Sequence, residues 1–303
     1  MIDLHVHIHT GDHEDRELLP KRYRDTLNSR LYNTIADISR LLPESLLRRI
    51  TWLAGVYSKD QEVFGKVKFL QGLALNGLVK ALESNPLEKL LESMNNNGIE
   101  KAAVQVVEPY MSTDEALKLK EKSGRIYVFG SVKFCRDNYM EQAEEIGRKN
   151  IDGFKMHPPL QMLSAGSHKI HDVIEALPEN LPILMDTGPF VGFNTGTDIN
   201  MLKPLLQKHK NRAIILAHIG KGQHEDAIKL AREHDCAYLE TSMQPASVIK
   251  KAIDAVGAGK IFMGSDFPVL DQSMAIRQLR KAANEREFEM ISRTNAEKLL
   301  GKR

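Results

Sequence analysis

Apolar and polar residues alternate strictly over residues 2–9, which read Ile-Asp-Leu-His-Val-His-Ile-His. Because strict alternation is the period of a β-strand, this stretch predicts a strand whose two faces differ in chemistry. The aliphatic face is typical of a strand that other structure covers, and the polar face indicates a candidate site. The expected faces are Asp3, His5, His7 and His9 on one side and Ile2, Leu4, Val6 and Ile8 on the other.

From about residue 87 onward, short apolar runs alternate with amphipathic segments, which predicts a repeating cycle of strands and helices. The predicted strands after the first are 101–107, 126–134, 153–157, 182–186, 213–218, 236–242 and 260–266. The predicted helices are 87–95, 113–122, 139–148, 170–177, 199–209, 225–234, 246–256 and a helical tail from about 272 to 300. With the opening strand, the cycle contains eight strands, each followed by helical sequence.

Strands that alternate with helices pair in parallel, so eight such units favour an α/β fold, a closed (β/α)8 TIM barrel. A doubly wound open sheet is the alternative, but its Rossmann form would carry Gly-x-Gly-x-x-Gly after a strand, and that motif is absent. The excess length lies at residues 10–86 and predicts a helical insertion after strand 1. The insertion is suited to a lid, a contact in a homo-oligomer or a helical cap with its own core. Because no Pro/Gly/Ser-rich linker separates it, residues 1–303 are expected to form a single domain.

Composition narrows the class of protein further. Of the 303 residues, 42% are hydrophobic and 27% are charged, as in an ordinary globular protein. The net charge of +2 gives no basis for nucleic-acid binding. Cys135 and Cys236 lack zinc-type spacing, and two cysteines argue against a disulfide scaffold. No apolar run approaches the ~20 residues that span a bilayer, and the opening strand leaves no room for a signal peptide, so we expect a soluble cytoplasmic protein.

Ionisable side chains stand at or just beyond the ends of five predicted strands. The carboxyl ends of barrel strands meet at one rim, so we expect these side chains to lie together there. They are His5 and His7 on strand 1, Lys155 and His157 on strand 4, Asp186 on strand 5, His218 on strand 6 and Asp266 on strand 8. Each one alone is compatible with a capped or salt-bridged residue. Together, imidazole and carboxylate groups predict a site for a divalent metal ion.

The same segments resemble the amidohydrolase superfamily, specifically its amidohydrolase-related branch of metal-dependent hydrolases and decarboxylases. The matching segments are Ile-Asp-Leu-His-Val-His, Gly-Phe-Lys-Met-His-Pro, Ile-Leu-Ala-His-Ile-Gly, Phe-Met-Gly-Ser-Asp-Phe-Pro and Thr-Asn-Ala-Glu-Lys-Leu-Leu-Gly. The resemblance covers residues 1–9 and 87–301 but not the insertion. It implies that His5 and His7 are metal ligands, that Asp266 is a ligand and proton carrier, and that His218 is an acid/base or polarising group.

One position departs from that pattern. The family usually has a ligand histidine in a His-Thr-Gly context at the end of strand 5, and here Asp186 stands in its place. A carboxylate also binds zinc and shifts the preference toward harder ions such as manganese. Alternatively, Asp186 is no longer a ligand and His157 is the replacement nitrogen donor. We therefore expect Zn²⁺, with Mn²⁺ as the alternative.

The cationic residues near the predicted rim have open assignments. In binuclear members of the superfamily, a lysine on strand 4 is carbamylated and bridges two metals, which makes Lys155 a candidate. Lys155 is otherwise an ammonium group that neutralises Asp186 or binds a substrate carboxylate. Arg136, beyond strand 3, and Lys221, after strand 6, are candidates for binding a substrate anion.

These residues support one leading hypothesis and two alternatives. The leading hypothesis is a metal-dependent hydrolase that acts on a small carboxylic, lactone or amide substrate through a metal-activated water. Asp266 would take the proton from that water and deliver it to the leaving group, while His218 would polarise the substrate carbonyl. The first alternative is a non-oxidative decarboxylase in which Asp266 or His218 protonates carbon. The second is a non-catalytic barrel that has lost its metal.

Overall fold

Parallel strands form one eight-stranded sheet whose order follows the chain. The strands are β1 (Ile2–Val6), β2 (Lys101–Gln105), β3 (Ile126–Gly130), β4 (Gly153–Met156), β5 (Ile183–Met185), β6 (Ile214–Leu216), β7 (Ala237–Glu240) and β8 (Ile261–Phe262). The computed structural model describes residues 1–8, 86–108, 111–186 and 198–301, together with 43 and 46. His9 lies outside the described residues. So does the predicted insertion 10–86, apart from residues 43, 46 and 86.

Helices follow the strands on the outside of the sheet. The α-helices are α1 (Leu87–Asn97), α2 (Thr113–Lys122), α3 (Tyr139–Gly147), α4 (His168–Ala176), α5 (Lys203–Lys208), α6 (His224–Glu233), α7 (Ala246–Val256), α8 (Gln272–Ala282), α9 (Glu285–Glu289) and α10 (Asn295–Leu300). Local sequence sets several of their ends. Ser112 and Glu115 form a reciprocal capping box at the start of α2, and Gly98 ends α1 at a φ of 65°.

Hydrogen bonds between β1 and the segment after β8 bring the two edges of the sheet together. The amide of Leu4 donates to Met263 O at 2.9 Å, and the amide of His7 donates to Phe267 O at 2.7 Å. In the opposite direction, the amide of Asp266 donates to His5 O at 2.8 Å. The predicted (β/α)8 TIM barrel is therefore confirmed, with β1 and the polypeptide just after β8 lying side by side.

Apolar side chains pack in two layers that the barrel wall separates. Outward residues such as Val104, Phe154 and Leu239 join the large cluster beneath the helices. The inner cluster fills the barrel and is closed from below by α10: Ile2, Leu4, Ala103, Phe129, Leu184, Ile215, Ala217, Phe262, Ala296 and Leu300. Above this inner layer, the inward positions become polar, so the barrel has a dry floor and a polar mouth.

A bulge in β1 breaks the simple alternation expected for this strand. Asp3 pairs with Ala102 and Val6 pairs with Val104, so β1 spends one residue more than β2 over the same length. The expectation that Asp3 shares a face with the histidines is wrong. The Asp3 carboxylate accepts hydrogen bonds from Ser265 Oγ at 2.6 Å and from Gln272 Nε2 at 2.8 Å, which tie β1 to α8.

The aliphatic residues of β1 also divide differently from the expectation. Leu4 belongs to the inner apolar layer, whereas Val6 belongs to the outer one. Leu4 and His5 are consecutive, yet both face the inside, because the extra residue lies between Asp3 and Val6. Without the bulge, the strand would carry either its leucine or its histidine inward at this level.

Candidate active site

Three of the predicted metal ligands converge at the mouth of the barrel. His7 Nε2 lies 3.3 Å from Asp266 Oδ1, and His5 Nε2 lies 3.7 Å from the same oxygen. Ligand atoms of these three residues lie within 4.8 Å of one another, the spacing of groups that share one metal ion. The two histidine rings meet edge to face with centroids 5.2 Å apart.

The ring orientation of both histidines is fixed from behind. His5 Nδ1 lies 3.0 Å from Glu240 Oε2, and His7 Nδ1 lies 3.0 Å from the backbone oxygen of Gln105. Since both partners are acceptors, each Nδ1 carries a proton and each Nε2 faces Asp266. Burial and the nearby Lys155 hold the pKa of His5 well below its usual value, so this ring is neutral. Imidazoles whose outer nitrogen is oriented in this way fit a divalent metal ion.

Asp266 reaches the site through an unusual backbone conformation. Its φ is 64°, in the left-handed region that few residues other than glycine adopt. Burial would raise the pKa of Asp266, but its hydrogen bond to His7 and the charges of His218 and His7 outweigh burial and lower it. Asp266 is thus an ionised carboxylate beside His5 and His7.

His218 follows β6 and stacks on His5, with ring centroids 5.0 Å apart. Its backbone is also left-handed, with a φ of 56°. His218 Nδ1 lies 2.7 Å from Ser242 Oγ, and its Nε2 lies 3.4 Å from Asp186 Oδ1. Burial would lower the pKa of His218, but Asp186 and Asp266 outweigh that effect and raise it.

Glu240 links the two stacked histidines. Its carboxylate accepts hydrogen bonds from Ser242 Oγ at 2.7 Å and from the amide of His218 at 3.3 Å, in addition to that from His5. The amide of Ser242 donates to its other oxygen. His5, His218 and Glu240 also lie close enough to be considered as a metal cluster. Because Glu240 already accepts these hydrogen bonds, its geometry is that of a supporting group behind the rings.

Gly264 makes room for this carboxylate. A Cβ at position 264 would lie 2.1 Å from Glu240 Oε1 and 2.8 Å from His5 Cβ, well inside van der Waals contact. The Met-Gly-Ser-Asp segment therefore has a distinct task for each of its last three residues. Gly264 gives space, Ser265 binds Asp3, and Asp266 faces the histidines.

Asp186 and Lys155 form a buried ion pair next to the three-residue cluster. Lys155 Nζ donates to Asp186 Oδ2 at 2.8 Å and lies 3.3 Å from His5 Nε2. Burial would raise the pKa of Asp186, but His157, Lys155 and His218 outweigh it and hold the pKa well below its usual range. The carboxylate that replaces the expected histidine is thus neutralised by a neighbouring ammonium group.

His157 is oriented as a hydrogen-bond donor. Its Nδ1 accepts the amide of Leu160 at 3.2 Å, so the proton of the neutral ring is on Nε2, which lies 3.6 Å from Asp186 Oδ1. Burial lowers the pKa of His157 to about 3. The charge of Asp186 opposes this shift, and the charge of Lys155 adds to it. In this orientation Nε2 offers a proton rather than a lone pair.

The two cations considered for substrate binding lie in different surroundings. Lys221 is half-buried after His218, and its charge helps to lower the pKa of His157. Arg136 is exposed in the turn after β3, where its amide donates to Lys133 O at 3.0 Å. The structure therefore brings Lys221, but not Arg136, into the electrostatic field of the histidines.

Sequence reasoning did not identify Glu240, Ser242 or Gln105. Glu240 ends the apolar run of β7 in the same way that Asp186 follows β5, so the same signal was available for it. Ser242 and Gln105 act through hydrogen bonds that no local pattern indicates. Gln105 supplies its backbone oxygen to His7 and its side-chain Nε2 to Leu4 O at 2.7 Å.

Comparison with known proteins assigns the family. The amidohydrolase family model matches residues 88–302, more than two thirds of the chain. The chain belongs to the amidohydrolase family. A search of curated proteins found no match.

Solved structures with the same fold support the barrel assignment for this amidohydrolase. An uncharacterised TIM-barrel protein from Bordetella bronchiseptica is 16% identical over 99% of both chains, with a TM-score of 0.66. The 5-carboxyvanillate decarboxylase of Sphingomonas paucimobilis is 13% identical over 99% of this chain and 98% of that one, with a TM-score of 0.59. A dihydroxybenzoic acid decarboxylase from Polaromonas sp. JS666, solved with manganese and 2-nitroresorcinol, is 15% identical over 74% of this chain and 88% of its own, with a TM-score of 0.57.

None of the helices in the described ranges has the length and apolar character needed to cross a membrane.

Proposed function

We propose that this amidohydrolase-family enzyme is a metal-dependent non-oxidative decarboxylase of a small carboxylic acid. The observation that carries the proposal is the convergence of His5, His7 and Asp266 beside the stacked ring of His218. The named enzymes among the fold neighbours described above are decarboxylases, and one of them was solved with manganese. The decarboxylase interpretation, which the sequence left as an alternative, is therefore preferred to the hydrolase.

The donor set fits a divalent metal ion. His5 and His7 would hold it through Nε2, because each Nδ1 is engaged by an acceptor, and Asp266 would supply a carboxylate oxygen. Nitrogen and oxygen donors suit Mn²⁺ as well as Zn²⁺, so we take manganese as the first ion to test. When bound, such an ion supplies positive charge that polarises substrate oxygens.

His218 is the proposed proton donor to carbon. In the reaction, the bond between the substrate carbon and its carboxylate breaks, carbon dioxide leaves, and the bonding electron pair stays on carbon. A proton from the His218 ring then forms the new C–H bond. Ser242 Oγ holds Nδ1 of His218, so the other ring nitrogen, Nε2, points toward Asp186 and the mouth. Asp266 lies near enough to affect the His218 charge. Because it is ionised, it is the alternative donor only after it has taken up a proton.

The charges around the mouth suit an anionic substrate. Lys221 is half-buried beside the histidines, and His157 offers an Nε2 proton. We assign these groups to binding the substrate carboxylate, with Lys155 committed to Asp186. Positive groups that meet a substrate anion at a partly dry mouth also raise its local concentration.

Hydrolysis is the second candidate, and the Asp266 carboxylate is the observation that favours it. An ionised carboxylate that shares a metal site with two histidines is also the arrangement that takes a proton from a water molecule. His218 would then polarise the scissile carbonyl, and the substrate would be a lactone or amide.

A product-based assay separates the two candidates. Protein loaded with Mn²⁺ or Zn²⁺ is incubated with hydroxybenzoic and methoxybenzoic acids, including 5-carboxyvanillate, and with a matched set of lactones and amides. Release of carbon dioxide together with the protonated product, lost in His218→Asn, supports the proposal. Release of acid from lactones or amides without carbon dioxide would favour the hydrolase instead.

A further inference from the structure

Two buried histidines with different proposed tasks share one carboxylate. His5 is a proposed metal ligand, and His218 is the proposed acid, yet both are held from behind by Glu240 or by its hydrogen-bonded partner Ser242. We infer that Glu240 is a positioning residue that couples the metal ligand His5 to His218 through the Ser242 hydroxyl. This inference rests on the proposed function, because it assigns the relation between two groups of the same site.

The hydrogen bonds of this network have one mutually consistent assignment. Ser242 Oγ donates its proton to Glu240 Oε2 at 2.7 Å, so Ser242 Oγ accepts from His218 Nδ1 at 2.7 Å. His5 Nδ1 donates to the same carboxylate oxygen at 3.0 Å and lies 3.4 Å from Ser242 Oγ. Nδ1 of each ring therefore carries a proton and is held from behind, and Nε2 of each ring turns toward the mouth.

Burial keeps water away from the hydrogen bonds between His5, Glu240 and Ser242. The side chains of His5 and Glu240 are 0% exposed, and Ser242 is also fully buried. Water does not replace a lost partner in such a place, so each group stays with the geometry that its neighbours impose. The rings of His5 and His218 are stacked with centroids 5.0 Å apart, so a turn of one ring displaces the other.

The sequence contains a second adaptation to the same carboxylate. Gly264 leaves the space that Glu240 Oε1 fills, and the amide of Ser242 donates to that oxygen. Three segments, at the ends of β6, β7 and β8, thus meet around Glu240. A carboxyl group that only filled space would not need both of its oxygens engaged by donors from two of these segments.

Two substitutions separate the arms of the network. Glu240→Gln replaces one of the two accepting oxygens behind the histidines with a donor, whereas Ser242→Ala removes the link to His218 and leaves the Glu240–His5 hydrogen bond in place. Asp152→Asn is the matched control, because Asp152 is also a buried carboxyl that accepts a backbone amide, from Val128 at 2.8 Å, but lies before β4 at the opposite end of the barrel.

The test combines Mn²⁺ affinity, measured by calorimetry, with the ring-nitrogen NMR signals of His218 in Zn²⁺-loaded protein. Glu240→Gln is expected to weaken Mn²⁺ binding 10- to 100-fold (about the usual effect of losing such a partner) and to shift the His218 signals. Ser242→Ala is expected to shift the same signals while Mn²⁺ affinity stays within about 2-fold of the wild type, and Asp152→Asn to change neither.

The outcomes distinguish this inference from the proposed function. Glu240→Gln with wild-type Mn²⁺ affinity, or Ser242→Ala with unchanged His218 signals, would overturn the coupling while the metal site stands. A wild-type protein that binds no metal would overturn the proposed function, and the His218 signals of the metal-free wild type and Ser242→Ala would then decide the Ser242 link. If Glu240→Gln does not fold, Glu240→Asp serves instead. It keeps both carboxylate oxygens, but its side chain is shorter by one methylene, so the oxygens lie farther from the two rings. The expected result is then an intermediate loss of Mn²⁺ affinity.

Discussion

Lys155 Nζ lies 2.8 Å from Asp186 Oδ2, and the two side chains are 0% and 7% exposed. This pair gives Asp186 a buried partner of opposite charge. The carboxylate that stands in place of a family histidine is not isolated at the mouth, because it has an ammonium group on one side and two imidazoles on the other. The same ammonium group lies 3.3 Å from His5 Nε2, so the ion pair adjoins the proposed metal ligands directly.

Breaking this pair from one side is expected to be costly. Asp186→Asn leaves the Lys155 charge buried without a counter-charge, and we predict a loss of about 3–5 kcal/mol in the free energy of unfolding, measured by urea denaturation. The double variant Lys155→Met/Asp186→Leu removes both charges and is expected to lose much less. Equal losses in the two variants would show that packing, rather than charge, dominates at this position.

Metal content tests whether the three-residue cluster is a metal site. Protein purified without chelator is expected to carry a divalent ion, measured by plasma mass spectrometry, and His5→Ala/His7→Ala is expected to lose it. Because a bound ion stabilises the folded state, Mn²⁺ or Zn²⁺ should also raise the melting temperature of metal-stripped wild type. Metal-free protein whose melting temperature does not respond to either ion would point to the non-catalytic barrel.

The buried carboxyl of Glu108, which is not one of the proposed metal ligands, is expected to make the free energy of unfolding depend on pH. Burial raises the pKa of Glu108 to about 7 from 4.5, although the Lys133 charge and a hydrogen bond from the amide of Thr113 oppose the shift. Between these values the folded state binds more protons than the unfolded state, so stability falls as pH rises through this window. Glu108→Gln stays neutral, and its advantage over wild type is expected to grow by roughly 2–3 kcal/mol from pH 4.5 to 8.

The matched control for that measurement is Glu121→Gln, which changes an exposed carboxyl on α2. Its free energy of unfolding is expected to follow the wild-type curve across the same pH range. If Glu108→Gln also follows the wild-type curve, the buried carboxyl does not titrate between the folded and unfolded values assigned to it.

Two glycines five positions apart give a sharp packing test. Gly264→Ala would drive a methyl group into Glu240 and His5, and we predict a loss of about 1–3 kcal/mol in stability together with weaker Mn²⁺ binding. Gly259→Ala is the control, because its Cβ would meet Met290 Cε at an ordinary 3.7 Å. Unfolding curves and metal titrations of the two variants measure both effects, and similar behaviour of the two would contradict the role assigned to Gly264.

The barrel was predictable because its signal repeats along the chain. Each strand is a short apolar run followed by helical sequence, and the helices 113–122 and 246–256 were predicted with the bounds that the structure has. Strand ends were less predictable. The predicted strand 260–266 is longer than β8, which spans Ile261–Phe262. Residues 263–266 instead make single hydrogen bonds with β1, and Asp266 takes a left-handed conformation at the mouth.

The candidate site residues were predictable where a histidine or an aspartate stands at the end of an apolar strand. His5, His7, His218 and Asp266 were selected in this way, and the structure brings them together. The direction of a hydrogen bond is not written in local sequence, so the donor orientation of His157 and the role of Glu240 required the three-dimensional contacts. The bulge in β1 likewise depends on pairing with β2, which alternation alone does not determine.

That bulge has a consequence for transplanting this site into another barrel. The His5–His7 pair is supplied by a strand that uses one residue more than its neighbour between the same two pairing positions. The side-chain amide of Gln105 binds the Leu4 carbonyl within this bulge. A graft of the two histidines onto a regular strand would therefore bring in the ligands without the backbone that aims them. The unit to transfer is therefore β1 with its bulge, together with Gln105 on the neighbouring strand β2.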